Sequence, residues 1–340
     1  MKIVHSDLHQ LHSPQTFIQR GRLVESPERP ERAYALLSAA IDAGHMGVEA
    51  KPMASAAIGL VHSARYLDFL ENGIAEWSVL PNAGPEIVPN THPNRFASHY
   101  ASHILARAGF HQGDTSCPIS AGTWRAARGS VDIALNVGAL IEGGARSAYG
   151  LCRPPGHHAF TEMASGFCYL NNVAVLAESL RLSGAERVAV LDIDIHHGNG
   201  TQQIFYERSD VLTVSVHADP DRFPMFFSGY SNETGIGEGE GHNLNLPLPH
   251  GSDDRAFVAA IGKGLSRIQT FAPDVLVVAL GLDAYRGDPL SVLDVTTEGF
   301  AQAATAINEF RGPVALIQEG GYPSVELGRN LVAFLGGIQD

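Results

Sequence analysis

Val188-Ala-Val-Leu-Asp192-Ile-Asp194-Ile-His196-His197-Gly198-Asn199-Gly200 is the stretch that decides how this chain folds. It opens as an apolar run rich in β-branched residues, the pattern of a buried strand. Asp192, Asp194 and His196 then fall at alternate positions before Gly198 and Gly200 break the pattern. Alternate strand residues face the same way, so these side chains are expected to converge near the strand's C-terminal end. Open α/β sheets build their sites there. Carboxylates with imidazole are hard or borderline ligands, suited to Zn²⁺, Fe²⁺ or Mn²⁺. The blander reading is a polar strand end capped by glycines. It would bury two Asp and two His without partners, which is costly.

Upstream of this strand, Lys2-Ile-Val-His5 reads as a first strand and residues 6–26 as a polar, turn-rich loop. Ser26-Pro27-Glu28 has the form of a helix start, with Pro in the first turn, and that helix is expected to stop at Gly44. A short helix is expected over Ala64–Asn72, with Tyr66, Phe69 and Leu70 on one face. From 79 to 120 the periodicity is lost: prolines recur and His92, His99, His103 and His111 are scattered without register. A loop this long has a task, such as a lid or an oligomer contact.

Gly122–Ile141 reads as a helix, Ser147–Leu151 as a strand, and a further helix runs to Ser183. Downstream, strand 187–192, a helix at Gln202–Glu207, strand Val211–Val216 and a loop over 218–243 are expected. Helix 254–270, strand Val275–Leu280, helix Glu298–Phe310, strand Val314–Ile317 and helix 324–336 close the chain. Strands alternating with helices mean a mainly parallel sheet covered on both faces. With no linker and no repeat, one α/β domain over 1–340 is the simplest account.

The chain has 340 residues, 44% hydrophobic and 17% charged, ordinary for a globular protein with a sizeable core. The formal net charge of −13 argues against a nucleic-acid or anionic-membrane binder, since both need basic patches. It would suit a cationic substrate, although acidic surfaces more often serve solubility. Three cysteines, Cys117, Cys152 and Cys168, are too few for a disulfide framework. No charged-then-apolar leader opens the chain and no apolar run is long enough to span a bilayer, so a cytoplasmic location is expected.

Four stretches fall where strands end: Pro154–His158, Asp192–His197, Gly281-Leu-Asp283-Ala and Gln318-Glu319-Gly320-Gly321-Tyr322. In a parallel sheet these ends share an edge and can meet in one pocket. Asp283 follows the run Val275–Leu280 and can join Asp194 and His196 as a third ligand. Two carboxylates and one imidazole balance a divalent ion and leave a position open, as in catalytic sites. His157 and His158, in tandem after Pro-Pro-Gly, read as proton-transfer machinery. Gly320 and Gly321 allow a tight turn before Tyr322, whose hydroxyl can donate to a developing oxyanion.

Together, Arg153-Pro-Pro-Gly-His157-His158-Ala, Gly166-Phe-Cys-Tyr-Leu-Asn-Asn, Asp192-Ile-Asp194-Ile-His196-His197-Gly-Asn-Gly, Gly281-Leu-Asp283 and Glu319-Gly-Gly-Tyr322 resemble the histone deacetylase superfamily. The closest branch is similar to the bacterial acetylpolyamine amidohydrolases. Arginase is a poorer match, lacking the tandem His and the Gly-Gly-Tyr. The resemblance implies the arginase/deacetylase-like fold, an eight-stranded mainly parallel sheet flanked by helices. It implies a hydrolase of linear amide C–N bonds with Zn²⁺ (Fe²⁺ as the alternative) on Asp194, His196 and Asp283. His158 would be the base, and His158 or His157 would protonate the leaving amine. Tyr322 and the metal would hold the oxyanion, and acetate would be released.

Within the same resemblance, Asp192 and Asn199 would orient His157 and His158. Gly166, Phe167 and Phe223 would line a narrow tunnel for a slim alkyl chain. A structural potassium ion is implied at Asp192, Asp194, His196, Ser215 and Val216, and a second near Phe205, Arg208 and Val211. Loop 79–120 coincides with an insertion that mediates dimerisation in the polyamine branch, so a homodimer is expected. That branch tends to carry an acid in a Thr-Glu-Leu motif for the substrate's distal ammonium, and here the triplet is Thr16-Phe17-Ile18. Asp114 or Glu25 could replace the acid, though nothing in the sequence places either at the mouth. The expected substrates are therefore small acetylated amines, N-acetylpolyamines or acetylated diamines. The alternatives are acetyl-lysine in proteins, another small amide, or a silent acyl binder.

Overall fold

Val275–Leu280, an unbroken apolar run, forms a strand buried along its whole length. In the computed structural model, which describes residues 1–339, the strands in chain order are β1 (Lys2–His5), β2 (Thr16–Gln19), β3 (Arg22–Glu25), β4 (Met46–Glu49), β5 (Ser147–Gly150), β6 (Val188–Asp192), β7 (Val211–Ala218), β8 (Asn243–Leu248), β9 (Val275–Leu280) and β10 (Val314–Gln318). Eight of them form one sheet in the order β4-β1-β5-β10-β9-β6-β7-β8. Every neighbouring pair in it is parallel. β2 and β3 stand apart as an antiparallel hairpin.

The helices are α1 (Pro30–Asp42), α2 (Ala57–Val61), α3 (Ala64–Ser78), α4 (Ile104–His111), α5 (Thr123–Glu142), α6 (Asn172–Leu182), α7 (Asn199–Phe205), α8 (Asp254–Phe271), α9 (Thr297–Asn308) and α10 (Leu327–Gly336). They cover both faces of the sheet, as alternation along the strands requires. Val190, Val277 and Ala315 join one core with Val131 of α5 and Leu176 of α6. Leu191, Val278 and Leu316 join the other with Ile261 of α8, Phe300 of α9 and Phe334 of α10. Each large side chain so buried stabilises the fold by roughly 1.5–3 kcal/mol. A core on each face leaves the strands no freedom to slip register, because a one-residue slip would exchange the two faces.

That register places the site. β5, β10, β9 and β6 are successive neighbours running the same way, and Asp192 sits level with Ala279 and Ser215 on the adjacent strands. The segments that follow these strands therefore leave the sheet at one edge.

The expected strand Val275–Leu280 and helix near 254–270 occur as read, with α8 one residue longer. Residues 6–26 are not a loop: they hold a 3₁₀ helix at Asp7–Leu11 and the β2–β3 hairpin. The hairpin turn, Arg20 and Gly21, has both φ angles positive, which matches the twist of the flanking strands. The first helix starts at Pro30, not near Pro27, with Arg29 extended before it. Glu28 is instead drawn inside by Arg32 and by Arg153, and Pro30 keeps Arg29 out of the helical region. α3 continues to Ser78, past the expected Asn72. The short β4, α2 and β8 lie in stretches where no element was expected.

Loop 79–120 is interrupted by α4. Its histidines do not gather. His103 caps α4 by accepting from the Leu105 N–H, His92 bonds the Gly109 carbonyl, and buried His111 bonds the Glu162 carbonyl. No helix among the described residues is long and apolar enough to cross a membrane.

Candidate active site

β6 ends at Asp192, and the backbone beyond it turns in two short steps. The Asp194 N–H donates to Asp192 Oδ1 at 3.0 Å, and the His196 N–H donates to Asp194 Oδ1 at 2.9 Å. Carboxylates bonding backbone two residues on are a local alternative to the strand ladder. The outcome differs from simple alternation: Asp194 and His196 stay together, while Asp192 turns to His157.

Asp283, three residues beyond β9, completes the group. His196 Nδ1 lies 3.1 Å from Asp194 Oδ1 and 3.1 Å from Asp283 Oδ2. The three ligand atoms all lie within 4.8 Å of one another. The remaining oxygens are tied to backbone, Asp194 Oδ2 to the Gly320 N–H at 2.7 Å and Asp283 Oδ1 to the Ile195 N–H at 3.0 Å. Gly320 is glycine for a steric reason, since a Cβ there would overlap both carboxylates.

Both carboxylates are fully buried. Burial and the Asp194 charge push Asp283 up to about 6. Burial also opposes the charge on His196, yet bonds to both carboxylates hold it up to about 9. Asp194 is driven the other way, below the usual carboxylate range, because His157 and His196 outweigh its burial. Two buried carboxylates thus compete for one imidazole proton. A divalent cation between them balances the charge fully, and the donor set is the one zinc takes with a position left open. The residues fit the metal.

The tandem histidines sit beside this group, ring centroids 3.9 Å apart. Glu319 holds their turn by accepting from the Gly156 N–H at 2.6 Å and the His157 N–H at 3.1 Å. His157 Nδ1 is 2.9 Å from Asp192 Oδ2. His158 Nδ1 is 2.8 Å from Asn199 Oδ1, at the start of α7. Burial works against a charge on His157, but Asp192 and Asp194 raise it to about 10. His158 is kept well below the ordinary range by burial and by His157 and His196. The pair is therefore split into a charged and a neutral member.

Tyr322 is buried on the far side of the turn, 5.7 Å from the Phe167 ring. Its N–H donates to Asp288 Oδ2 at 2.7 Å. Arg32 clamps the same turn, donating to the Gly321 carbonyl at 2.5 Å and the Glu319 carbonyl at 2.6 Å, with its guanidinium 4.8 Å from the Tyr322 ring centre.

These groups open into a cavity of about 130 Å³ bounded by Phe17, Gly166, Phe167, Pro224, Met225 and Leu290, with His158, His196 and Tyr322 at its base. Gly166 lies in the left-handed region at φ 54°, and a side chain there would strike His158. Phe223 is not on the wall. It stacks on His196, centroids 4.9 Å apart, and Pro224 and Met225 face the cavity in its place.

At the implied potassium positions, Asp192 and Ser215 are register partners on β6 and β7, with Val216 buried beside them. Phe205 ends α7, Val211 opens β7, and Arg208 lies in the turn between them. There the Phe205 carbonyl accepts the Arg208 N–H, and the Arg208 side chain is held by Glu178 and Asp210. His157, Cys168 and Glu319 also lie close enough to share an ion. Glu319 Oε2 is on backbone, His157 Nδ1 is on Asp192, and the Cys168 thiol is pushed far up by burial; Glu319 Oε1 has no hydrogen-bond partner among the described residues.

Sequence reasoning missed Arg32, Asp288, Met225 and Leu290, and assigned Glu319 no role. Glu319 was within a recognised motif. Arg32 meets its carbonyls across 287 and 289 positions, which no local pattern reveals.

A histone deacetylase domain matches residues 23–338. Acetylpolyamine amidohydrolase of Burkholderia pseudomallei is 46% identical, covering 96% of each chain. Acetylpolyamine amidohydrolase 1 of Pseudomonas aeruginosa is 39% identical, over 100% of this chain and 99% of its own. The crystal structure of the acetylpolyamine aminohydrolase from Burkholderia pseudomallei superposes with a TM-score of 0.94 at 44% identity, over 99% of this chain and 98% of that one. Sheet order, strand-end placement and this similarity along almost the whole length agree: the chain belongs to the histone deacetylase family and is an amide-hydrolysing deacetylase.

Proposed function

We propose that this deacetylase hydrolyses small acetylated amines, the class that includes N-acetylpolyamines and acetylated diamines, releasing acetate. One observation carries the reading: the Asp194–His196–Asp283 group lies at the base of a narrow cavity that also exposes His158 and Tyr322. The same three residues would hold Zn²⁺, with Fe²⁺ as the alternative. When bound, such an ion polarises an amide carbonyl and makes water a nucleophile at neutral pH.

The chain's own groups do the rest. Neutral His158 takes the proton of the attacking water through Nε2, because Nδ1 is committed to Asn199. The Tyr322 hydroxyl donates to the oxygen on which charge develops. His157 lies behind the cavity wall and keeps its charge against Asp192. His158, the dyad member that faces the cavity, then returns the proton to the departing amine. Gly166, Phe167 and Met225 hold the alkyl chain and exclude water. A homodimer through 79–120, potassium at the two positions above and a cytoplasmic location belong to the same proposal.

The test is acetate release from N-acetylputrescine, N-acetylcadaverine, acetylspermidine and an acetyl-lysine peptide by zinc-loaded protein. Higher kcat/KM on the free amines supports the reading, and preference for the peptide overturns it. Light scattering at micromolar concentration tests the dimer, which a clean monomer would contradict.

A further inference from the structure

The cavity mouth is formed partly by the β2–β3 hairpin, and the hairpin's register determines which charges look inward. Phe17 and Gln19 both line the cavity, and the Phe17 ring packs edge-on against Phe167 at 5.6 Å. In an antiparallel pair, directly opposed residues point to the same face, about 5 Å apart. Phe17 is opposed by Val24 and Gln19 by Arg22. Half-buried Val24 confirms that this face turns inward, whereas Ile18 and Leu23 on the other face are exposed. Arg22 therefore stands at the outer end of the wall that Phe17 and Gln19 form. It makes no ion pair among the described residues.

Among the described residues, no carboxylate lines the cavity. The two acids that could have served a distal ammonium are both engaged elsewhere. Glu25 lies on the opposite face of the hairpin and pairs with Arg29 at 2.7 Å. Asp114 sits behind the wall, with one oxygen on the Ser165 hydroxyl and the Gly166 N–H and the other on Ser116. Along the wall, a substrate leaving the base thus meets an aromatic ring, an amide and then the Arg22 guanidinium.

We propose that Arg22 reads the far end of the substrate and that the preferred acetylated amine carries a carboxylate there, making it an ω-acetamido acid. This deepens the small-amide reading and rests on it. An exposed Arg–carboxylate attraction is worth a few-fold, and exchanging it for repulsion of an ammonium roughly doubles that in logarithmic terms, giving about a tenfold preference at low salt. The preference acts on KM more than on kcat, because Arg22 is remote from the reacting bond, and it shrinks as salt screens the pair.

The experiment compares kcat/KM for 6-acetamidohexanoate, N-acetylcadaverine and N-hexylacetamide, which share one acyl group and one spacer, on wild type and Arg22→Glu. The expected order in wild type is carboxylate first and ammonium last, reversed in Arg22→Glu, with kcat on the neutral amide unchanged. Ammonium preference in wild type, or an order that Arg22→Glu leaves intact, overturns the assignment. Calorimetric binding of the same amides to zinc-loaded Tyr322→Phe reads the tail preference apart from turnover. Binding in the expected order without hydrolysis by wild type would therefore sink the amidohydrolase reading and leave the role of Arg22 standing.

Discussion

Asn199 Oδ1 lies 2.8 Å from His158 Nδ1 and also accepts the Gly200 N–H at 3.0 Å. An atom that accepts a backbone N–H is an oxygen, so His158 Nδ1 must be the donor and Nε2 is left with its lone pair. A neutral amide partner fixes the tautomer without adding charge, whereas Asp192 gives His157 a full negative partner. The difference between these two partners divides the labour of the tandem pair.

Asn199→Asp should erase that division. A carboxylate beside Nδ1 favours imidazolium, so the His158 pKa rises. Since the base form is the active one, the acidic limb of the kcat/KM profile should move to higher pH. A profile that coincides with wild type would remove His158 from the base role.

Tyr322→Phe deletes one hydroxyl from a turn that Arg32, Asp288 and Gly320 hold through backbone. Metal content should be unchanged while kcat falls by about 10²–10³, the loss typical of one oxyanion donor. Atomic absorption and steady-state kinetics on the same preparation measure both.

Arg32→Met strips a fully buried guanidinium from Glu28, leaving that carboxylate to Arg153 and to the His12 ring at 3.8 Å. Breaking a buried pair costs about 3–5 kcal/mol, lessened here by Arg153. Urea unfolding should show a lower midpoint. Turnover at temperatures where the variant is still folded should fall as well, because the Tyr322 turn loses two carbonyl bonds.

Between pH 7 and 10 the metal-free protein should lose stability. His196 and His157 stay protonated in the fold up to about 9 and about 10. In the unfolded chain they are neutral above about 6.5, so the folded state binds more protons across this window and its advantage fades as pH rises. The buried thiols of Cys117, Cys152 and Cys168, all pushed up, act in the same direction above their ordinary range. Zinc replaces the His196 proton, so scanning calorimetry of the loaded protein should show a shallower decline.

Much of this arrangement was legible in sequence because it rests on short-range patterns. β9 is an unbroken apolar run, α8 has an Asp cap and a helical period, and Asp194, His196 and Asp283 follow strands that could be recognised locally. The misses have the opposite character. β2 and β3 are four-residue strands that gain little until paired, and Ile18 and Leu23 face solvent, so no alternation marks them. Glu28 looked like the first turn of a helix, but its place is decided by Arg32 one turn on and by Arg153, 125 positions away. Phe223 occupies an expected wall position in sequence, yet His196 provides a stacking partner and its neighbours take the wall. Asp192 kept the expected alternation with Asp194 only in sequence, since the strand had already ended.

The most direct measurement is metal stoichiometry against acetate release in one titration. Protein stripped by chelator, alongside Asp194→Ala and Asp283→Asn, would receive Zn²⁺ stepwise while acetate from N-acetylcadaverine is followed. Wild type should recover turnover in proportion to zinc and reach its maximum at one ion per chain, while neither variant recovers it. Full acetate release from stripped wild type, or from Asp194→Ala, would contradict a metal held by Asp194, His196 and Asp283.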